Sequence, residues 1–169
     1  MSLALIWSKK HTSVSGRVVP GFVECIKGDT IKFEFNFKLN KIVPDSINGL
    51  VRVLPIPYPF AYGFIPGIKS LDHDFLDSFF ISSRSIDYGR QSNFEPRLAI
   101  FMTDNQEEDT KLICVEPNFE LDSISIKNIL FFLKNYSKDR IKIDSIIRIK
   151  SIENFKRKLF LYQNSKKLK

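Results

Sequence analysis

The first two thirds of the chain alternate between apolar and polar residues at the two-residue period of β-strands. The clearest case is IKFEFNF, residues 31–37, whose apolar residues face one way while Lys32 and Glu34 face the other. Further short strands are predicted at GFVECI, LVRVL, DSFFIS, RLAIFM and KLICVE, with turn signals rich in Gly, Asn and Pro between them. This part of the chain is therefore predicted to be a series of short strands.

The last third changes to the period of an α-helix. After a capping Asp122 or Ser123, apolar residues recur at helical spacing: Ile126, Ile129, Leu130 and Leu133. A short strand is predicted at residues 146–149, and a second helix follows with one apolar face: Ile152, Phe155, Leu159 and Tyr162. Strands followed by helices predict a mainly β, α+β fold, a small closed or partly closed barrel with helices packed outside. Because no repeat or linker interrupts residues 1–169, a single domain is predicted.

The composition is typical of a globular protein, and it does not indicate one kind of binding partner. Of the 169 residues 43% are hydrophobic and 27% charged, and the formal net charge is +7. This charge admits nucleic acid, an acidic membrane or a phosphorylated small molecule. Cys25 and Cys114 lie in apolar runs and favour buried thiols in a reducing compartment, with a disulfide as the alternative. No apolar run is long enough to span a bilayer and the N-terminus lacks a signal peptide, so a soluble cytoplasmic protein is predicted.

Aspartates gather in two short segments, each beside an apolar strand. The first, SLDHDFLDSFF, holds Asp72, Asp74 and Asp77, and the second, MTDNQEEDTKL, holds Asp104 and Asp109. Groups of carboxylate oxygens suit hard cations such as Mg²⁺ and Mn²⁺. Either segment alone is more typical of a solvated loop, but two of them at strand edges favour a metal site.

Basic and hydroxyl side chains extend this hypothesis. Lys32, Arg52 and Lys111 supply cations, and carboxylate-bound metals flanked by Lys and Arg are suited to a polyphosphate. The segment YPFAYGFIP has two interpretations: a buried aromatic turn, or a turn at which Tyr58 and Tyr62 present hydroxyls to a phosphate. On its own the segment favours the buried turn.

Together these motifs resemble those of the family I soluble inorganic pyrophosphatases, from about residue 21 to residue 160. YPFAYGFIPGIKSLDHDFLDSFF is similar to the family's YPxNYGFIPxTLxxDGDPLDVLV, and IFMTDNQEEDTKLICVEP is similar to LKMxDExGEDxKxIAVP. The resemblance implies an OB-type five-stranded β-barrel with the C-terminal helices packed outside. It also implies hydrolysis of inorganic pyrophosphate to two orthophosphates with Mg²⁺, or Mn²⁺ in its place, by a homo-oligomer that is often a hexamer in bacteria.

The resemblance assigns roles to individual positions. The family's metal ligands correspond to six carboxylates: Asp72, Asp77, Asp104, Asp109, Glu24 and Glu34. Its phosphate-binding residues correspond to Lys32, Arg52, Lys111 and Tyr136, and Lys138 is a further candidate because Ser137 stands at the family's lysine. The implied catalytic residues are Asp77 as a bridging ligand, Asp74 as the base that takes a proton from the attacking water, and Tyr62 as a hydrogen-bonding group beside that water.

Departures from the family motifs keep two alternatives open. His73 and Phe75 replace the glycine and proline of DGDP, and Asn105 replaces a carboxylate beside Asp104. A homologue that binds metal but is catalytically weakened is therefore one alternative. The other is an OB-fold module that binds single-stranded nucleic acid. Nucleic acid is disfavoured because carboxylates at the barrel mouth would repel its backbone.

Overall fold

The alternating segments form strands whose pairing closes into a ring. The structure is a computed structural model that describes residues 17–71, 73–137 and 141–167. Its elements in chain order are β1 (Val19–Cys25), β2 (Phe33–Asn36), β3 (Lys41–Pro44), β4 (Ser46–Ile47), β5 (Leu50–Val51), β6 (Ala61–Lys69), β7 (Phe75–Ile81), β8 (Gly89–Asp104), β9 (Glu107–Glu108), β10 (Lys111–Val115), α1 (Ser123–Asn135), β11 (Ile141–Arg148) and α2 (Ile152–Lys167).

Five of these strands make a closed barrel in the order β1-β6-β7-β10-β8, because β8 pairs back onto β1. All neighbours are antiparallel except β7 and β10, which run parallel. Closure is possible because β8 is 16 residues long. Its first part pairs with β1, and its later part pairs with β10 and β11. The predicted mainly β fold with an OB-type five-stranded barrel is confirmed.

Two clusters of buried side chains lie on opposite faces of the strands. The first draws on every barrel strand and fills the interior, with Val23, Ile65, Leu76, Ala99 and Leu112 among its members. The second lies on the other face of β7, β8 and β10, where α1 covers it with Ile129, Phe132 and Leu133. The strict alternation of β10, Leu112 to one cluster and Ile113 to the other, shows how a two-residue period separates the two cores.

Both helices begin and pack as their sequence patterns predict. Asp122 caps α1 by accepting a hydrogen bond from the Ser125 N–H at 2.6 Å. Helix α2 buries Ile152, Phe155 and Leu159 in the first cluster and extends to Lys167, so the predicted apolar face is confirmed. The strand predicted at residues 146–149 is longer than expected, since β11 already begins at Ile141.

The segment YPFAYGFIP differs from its favoured interpretation as a turn. Residues from Ala61 onward form β6, a central barrel strand. Three of the aromatic residues are buried as expected and Phe60 is partly buried; the three are Tyr58, Tyr62 and Phe64. Gly63 allows β1 to approach closely, because a Cβ at this position would lie 1.9 Å from the Phe22 carbonyl oxygen. The glycine therefore serves strand pairing rather than a turn.

The structure also bears on the predictions about the two cysteines and about membrane-spanning segments. Cys25 and Cys114 are both buried and free, as their apolar surroundings predict. Among the described residues, no helix combines the length and the apolar character that crossing a membrane requires.

Candidate active site

Three neighbouring barrel strands bring Tyr62, Asp77 and Lys111 together. Asp77 of β7 pairs directly with Lys111 of β10, and Tyr62 of β6 pairs with Phe79 of β7. Lys111 Nζ lies 2.5 Å from Asp77 Oδ2 and 2.6 Å from Asp109 Oδ1. The Tyr62 hydroxyl donates to Asp77 Oδ2 at 2.5 Å. The two acidic segments of the sequence thus meet on one ammonium group.

Burial and charge determine the protonation of this central group. Only 5% of the Lys111 side chain is exposed. Burial lowers the pKa of Lys111, but attraction by Asp77 and Asp109 outweighs it and leaves the pKa above its usual value. Burial, and then repulsion by Asp77, raises the pKa of Tyr62. The centre therefore holds a fixed positive charge between two carboxylates, beside a protonated phenol.

A cavity of about 250 Å³ opens beside this centre. Asp74, Asp77 and Asp109 line it, and so do the predicted residues Lys32, Glu34 and Tyr62. Glu24 also lines it, and the Phe35 N–H donates to Glu24 Oε1 at 2.7 Å. Burial raises the pKa of Glu24 to about 8 despite this hydrogen bond. Most of the predicted carboxylates therefore line this one cavity.

A second cavity of about 150 Å³ shares Lys32, Tyr62, Asp77 and Asp109 with the first. The remaining polar residues that line it are Arg52, Tyr58, Asp104, Lys111 and Tyr136. The Tyr136 hydroxyl donates to Asp104 Oδ2 at 3.3 Å, and the Arg52 guanidinium carbon lies 5.8 Å from the Tyr136 ring centroid. Four predicted phosphate-binding side chains, Lys32, Arg52, Lys111 and Tyr136, thus line one cavity.

Asp45 organises the cations at the rim. Its Oδ2 lies 3.4 Å from Lys32 Nζ and 3.7 Å from an Arg52 guanidinium nitrogen. Backbone bonds join the same three residues, since the Lys32 N–H donates to the Arg52 carbonyl and the Arg52 N–H to the Asp45 carbonyl. Lys32 also lies 3.1 Å from the exposed Glu34. Two cations from separate segments are thereby held on the same side of the cavity.

Comparisons with known proteins identify the family. A family model described as inorganic pyrophosphatase matches residues 21–152, most of the chain. The chain belongs to the inorganic pyrophosphatase family.

Relatives and solved structures agree with this assignment. The inorganic pyrophosphatase of Sulfolobus acidocaldarius is 29% identical over 136 residues, 70% of this chain and 73% of the relative. That of Saccharolobus solfataricus is 34% identical over 97 residues, 57% of this chain and 54% of the relative. Inorganic pyrophosphatases from Thermus thermophilus and Neisseria gonorrhoeae superpose with TM-scores of 0.70 and 0.69, at 23% and 24% identity. The Thermus thermophilus match covers 85% of this chain and 88% of that structure. The Neisseria gonorrhoeae match covers 88% of this chain and 90% of that structure. Both show that the fold is shared.

Two departures from the pyrophosphatase motifs fall in tight turns. His73 adopts a positive φ of 71°, the region for which the family's glycine is suited and which histidine enters more readily than most residues. Asn105 and Gln106 have φ values of 47° and 72° and connect β8 to β9 in a two-residue hairpin. His73 and Asn105 therefore adopt left-handed turn conformations beside Asp74 and Asp104.

The donors around the centre fit a hard divalent cation by their chemistry. They are carboxylate oxygens that already converge on one cation, the ammonium group of Lys111. Within residues 17–71, 73–137 and 141–167, no set of three His, Cys, Asp or Glu side chains is close enough to form a metal site by itself. The predicted ligand Asp72 lies outside the described residues, and so does the predicted phosphate-binding residue Lys138.

Sequence reasoning missed several residues of the site. Asp45 was indistinguishable from a turn residue, because it follows Pro44 and its partners lie in other segments. Ser70 and Thr110 line the larger cavity. Their only sequence signal is that they lie within the two acidic segments, close to the aspartates. Tyr58 is buried with its ring 5.2 Å from that of Tyr62, so it packs in the core as well as bordering the smaller cavity.

Proposed function

We propose that this chain hydrolyses inorganic pyrophosphate to two orthophosphates with the help of Mg²⁺. One observation carries the proposal: the buried ammonium group of Lys111 lies between Asp77 and Asp109, in a cavity that Arg52 and Tyr136 also line. A heavily charged anion needs cations and hydrogen-bond donors around it, and a metal needs carboxylates, and both sets border the same cavities. Membership of the inorganic pyrophosphatase family supports the same activity.

The residues that would hold the metal are Asp72, Asp77, Asp104 and Asp109, with Glu24 and Glu34 acting through water. Bound Mg²⁺ would lower the pKa of a bound water and neutralise charge on attacking and leaving oxygens. Mn²⁺, also a hard cation, is the alternative metal. Asp77 has the central position among these ligands, because it contacts both Tyr62 and Lys111.

The chain's own residues would bind phosphate and move one proton. Lys32, Arg52, Lys111 and Tyr136 would bind the phosphate oxygens, and Lys138 is a further candidate. Phosphoryl transfer depends mainly on such positioning and charge neutralisation. Asp74 would take a proton from the attacking water. Tyr62 would hold Asp77 in place through its 2.5 Å hydrogen bond, keeping the carboxylate oriented towards the reacting groups.

Three broader expectations accompany the proposal. We infer that residues 1–169 form one pyrophosphatase domain, that copies of the chain assemble into a homo-oligomer, as a hexamer by resemblance to the family, and that the protein acts in the cytoplasm. The two free buried thiols support a reducing compartment. Size-exclusion chromatography with light scattering would measure the oligomeric state.

Phosphate release from pyrophosphate, with and without Mg²⁺, tests the proposal. The wild type should release phosphate only with metal, and Asp77→Ala should lose the activity. No release by the wild type, even with Mn²⁺, would contradict the proposal and favour the catalytically weakened homologue. A salt titration with single-stranded nucleic acid then tests the remaining alternative, since binding that falls steeply with salt is the signature of phosphate-backbone contacts.

A further inference from the structure

The hairpin of β8 and β9 has a front and a back. Asp104 pairs with Glu107, and Thr103 pairs with Glu108, so the two pairs lie on opposite faces. Asp104 and Asp109 belong to the front, where both line the smaller cavity. Glu108 belongs to the back, where helix α2 packs. Contacts on the back of the hairpin can therefore determine the positions of Asp104 and Asp109 on the front.

The end of α2 lies directly on this back surface. The Tyr162 ring stacks on Phe101 of β8, with centroids 4.5 Å apart and planes at 26°. One turn later, Lys166 Nζ donates to Glu108 Oε1 of β9 at 2.5 Å and lies 3.1 Å from Asp144 Oδ2 of β11. The Tyr162 hydroxyl donates to the same Asp144 oxygen at 2.6 Å. Lys166 thus bridges the two strands that flank the end of β8.

The carboxylates of this bridge are less exposed than those of an ordinary surface ion pair. The carboxylates are mostly covered, with 27% of the Glu108 side chain and 15% of the Asp144 side chain exposed. Glu108 Oε2 is buried and makes no hydrogen bond to any described residue. Lys166 itself is 38% exposed, but removing its ammonium group would leave the half-buried Glu108 carboxylate without this cation, which costs more than losing a fully exposed pair.

The backbone of the hairpin makes few hydrogen bonds of its own near Asp109. Strand β9 has only two residues, and beyond it the Asp109 N–H donates to the Met102 carbonyl at 3.0 Å. Side-chain contacts therefore contribute to the placement of Asp109: the ion pair with Lys111 at 2.6 Å on the front and, through the adjacent Glu108, the ion pair with Lys166 on the back.

We propose that Lys166 is a positioning residue for the active site: by joining Glu108 to Asp144 behind β8, it fixes Asp104 and Asp109 on the front for cation binding. This proposal rests on the proposed function, because it requires Asp104 and Asp109 to hold a divalent cation. Loss of a group that hydrogen-bonds a metal ligand generally costs about 10-fold to 100-fold in affinity. Lys166 acts one residue further away, through Glu108, so we expect the lower end of this range.

The test compares Lys166→Met with Lys166→Arg and Lys142→Met. Lys142 contacts the same Asp144 at 3.0 Å, but it is 77% exposed and no hydrogen bond or ion pair to Glu108 is found for it among the described residues. Mg²⁺ binding is measured by calorimetry without pyrophosphate, and amide exchange is followed across residues 102–109. Lys166→Met should weaken Mg²⁺ binding about tenfold and speed exchange in the hairpin. Lys166→Arg should restore both, and Lys142→Met should change neither.

The outcomes separate the two hypotheses. If Lys166→Met lowers the melting temperature but leaves Mg²⁺ affinity and hairpin exchange at wild-type values, Lys166 only anchors α2 and the positioning role is overturned. Equal loss of Mg²⁺ affinity in Lys142→Met would also overturn it. A wild type that binds Mg²⁺ without releasing phosphate would contradict the proposed function, while the binding and exchange data would still decide the role of Lys166.

Discussion

The centre and the rim of the site hold their charges in different ways. At the centre, Lys111 contacts Asp77 and Asp109 at 2.5 and 2.6 Å, with 5% of its side chain exposed. At the rim, Lys32 and Arg52 lie 3.4 and 3.7 Å from Asp45, and each is 24% exposed. The central residues lie on, or next to, neighbouring barrel strands. The rim residues lie in short segments next to β2, between β3 and β4, and after β5.

The fold fixes the contacts at the centre more firmly than those at the rim. The register of β7 and β10 places Asp77 beside Lys111 before any ligand arrives. The rim pairs are longer and more exposed, and such pairs contribute little by themselves. The centre therefore supplies the fixed charges, while the rim side chains are able to adjust around a phosphate.

Replacing Lys111 should have the largest effect. Lys111→Met leaves Asp77 and Asp109 without the cation that both contact and removes the proposed buried phosphate ligand. We expect kcat/KM for pyrophosphate to fall about a thousandfold. Lys32→Met is the matched change at the rim and should cost about tenfold. Steady-state phosphate release measures both, and equal losses would remove the distinction between centre and rim.

Removing the Tyr62 hydroxyl should have an intermediate effect. Tyr62→Phe deletes the 2.5 Å hydrogen bond to Asp77 but leaves the Lys111 contact in place. A hydrogen bond to a charged group contributes about 1.5–3 kcal/mol, so kcat should fall roughly 10-fold to 100-fold. Tyr88→Phe is the control, because Tyr88 donates to Asp29 outside the site. Wild-type kcat in Tyr62→Phe would show that Asp77 needs no support from the phenol.

A carboxylate distant from both regions should affect stability alone. Glu116 accepts hydrogen bonds from Ser82 Oγ and from the Ser83 N–H and hydroxyl, which lower its pKa to about 2. Because the folded pKa lies below the ordinary 4.5, this stabilisation is present above pH 4.5 and is lost as the pH falls towards 2.

Glu116→Gln should therefore melt below the wild type at pH 7, and the difference should shrink as the pH falls from 4.5 to 2. Thermal melts across this range measure it, with phosphate release at pH 7 unchanged. A constant difference at every pH would show that the ionised form of Glu116 is not what stabilises the fold.

Sequence patterns predicted the barrel, the two helices and the meeting of Asp77 with the second acidic segment, because each has a local period or motif. They did not predict β6 as a strand. Its first five residues are buried on both faces, so the segment is a continuous apolar run without alternation. Asp45 was missed for another reason: its role depends on Lys32 and Arg52, which only the folded chain brings to it.

The most direct test of the account is the pair Asp77→Asn and Asp45→Asn, measured by phosphate release over a Mg²⁺ titration. Both changes replace a carboxylate by an amide of the same shape, one at the centre and one at the rim. We expect Asp77→Asn to lose about a thousandfold or more in kcat and Asp45→Asn to lose about tenfold or less. Metal-independent release by the wild type, or an Asp77→Asn variant as active as Asp45→Asn, would contradict the account.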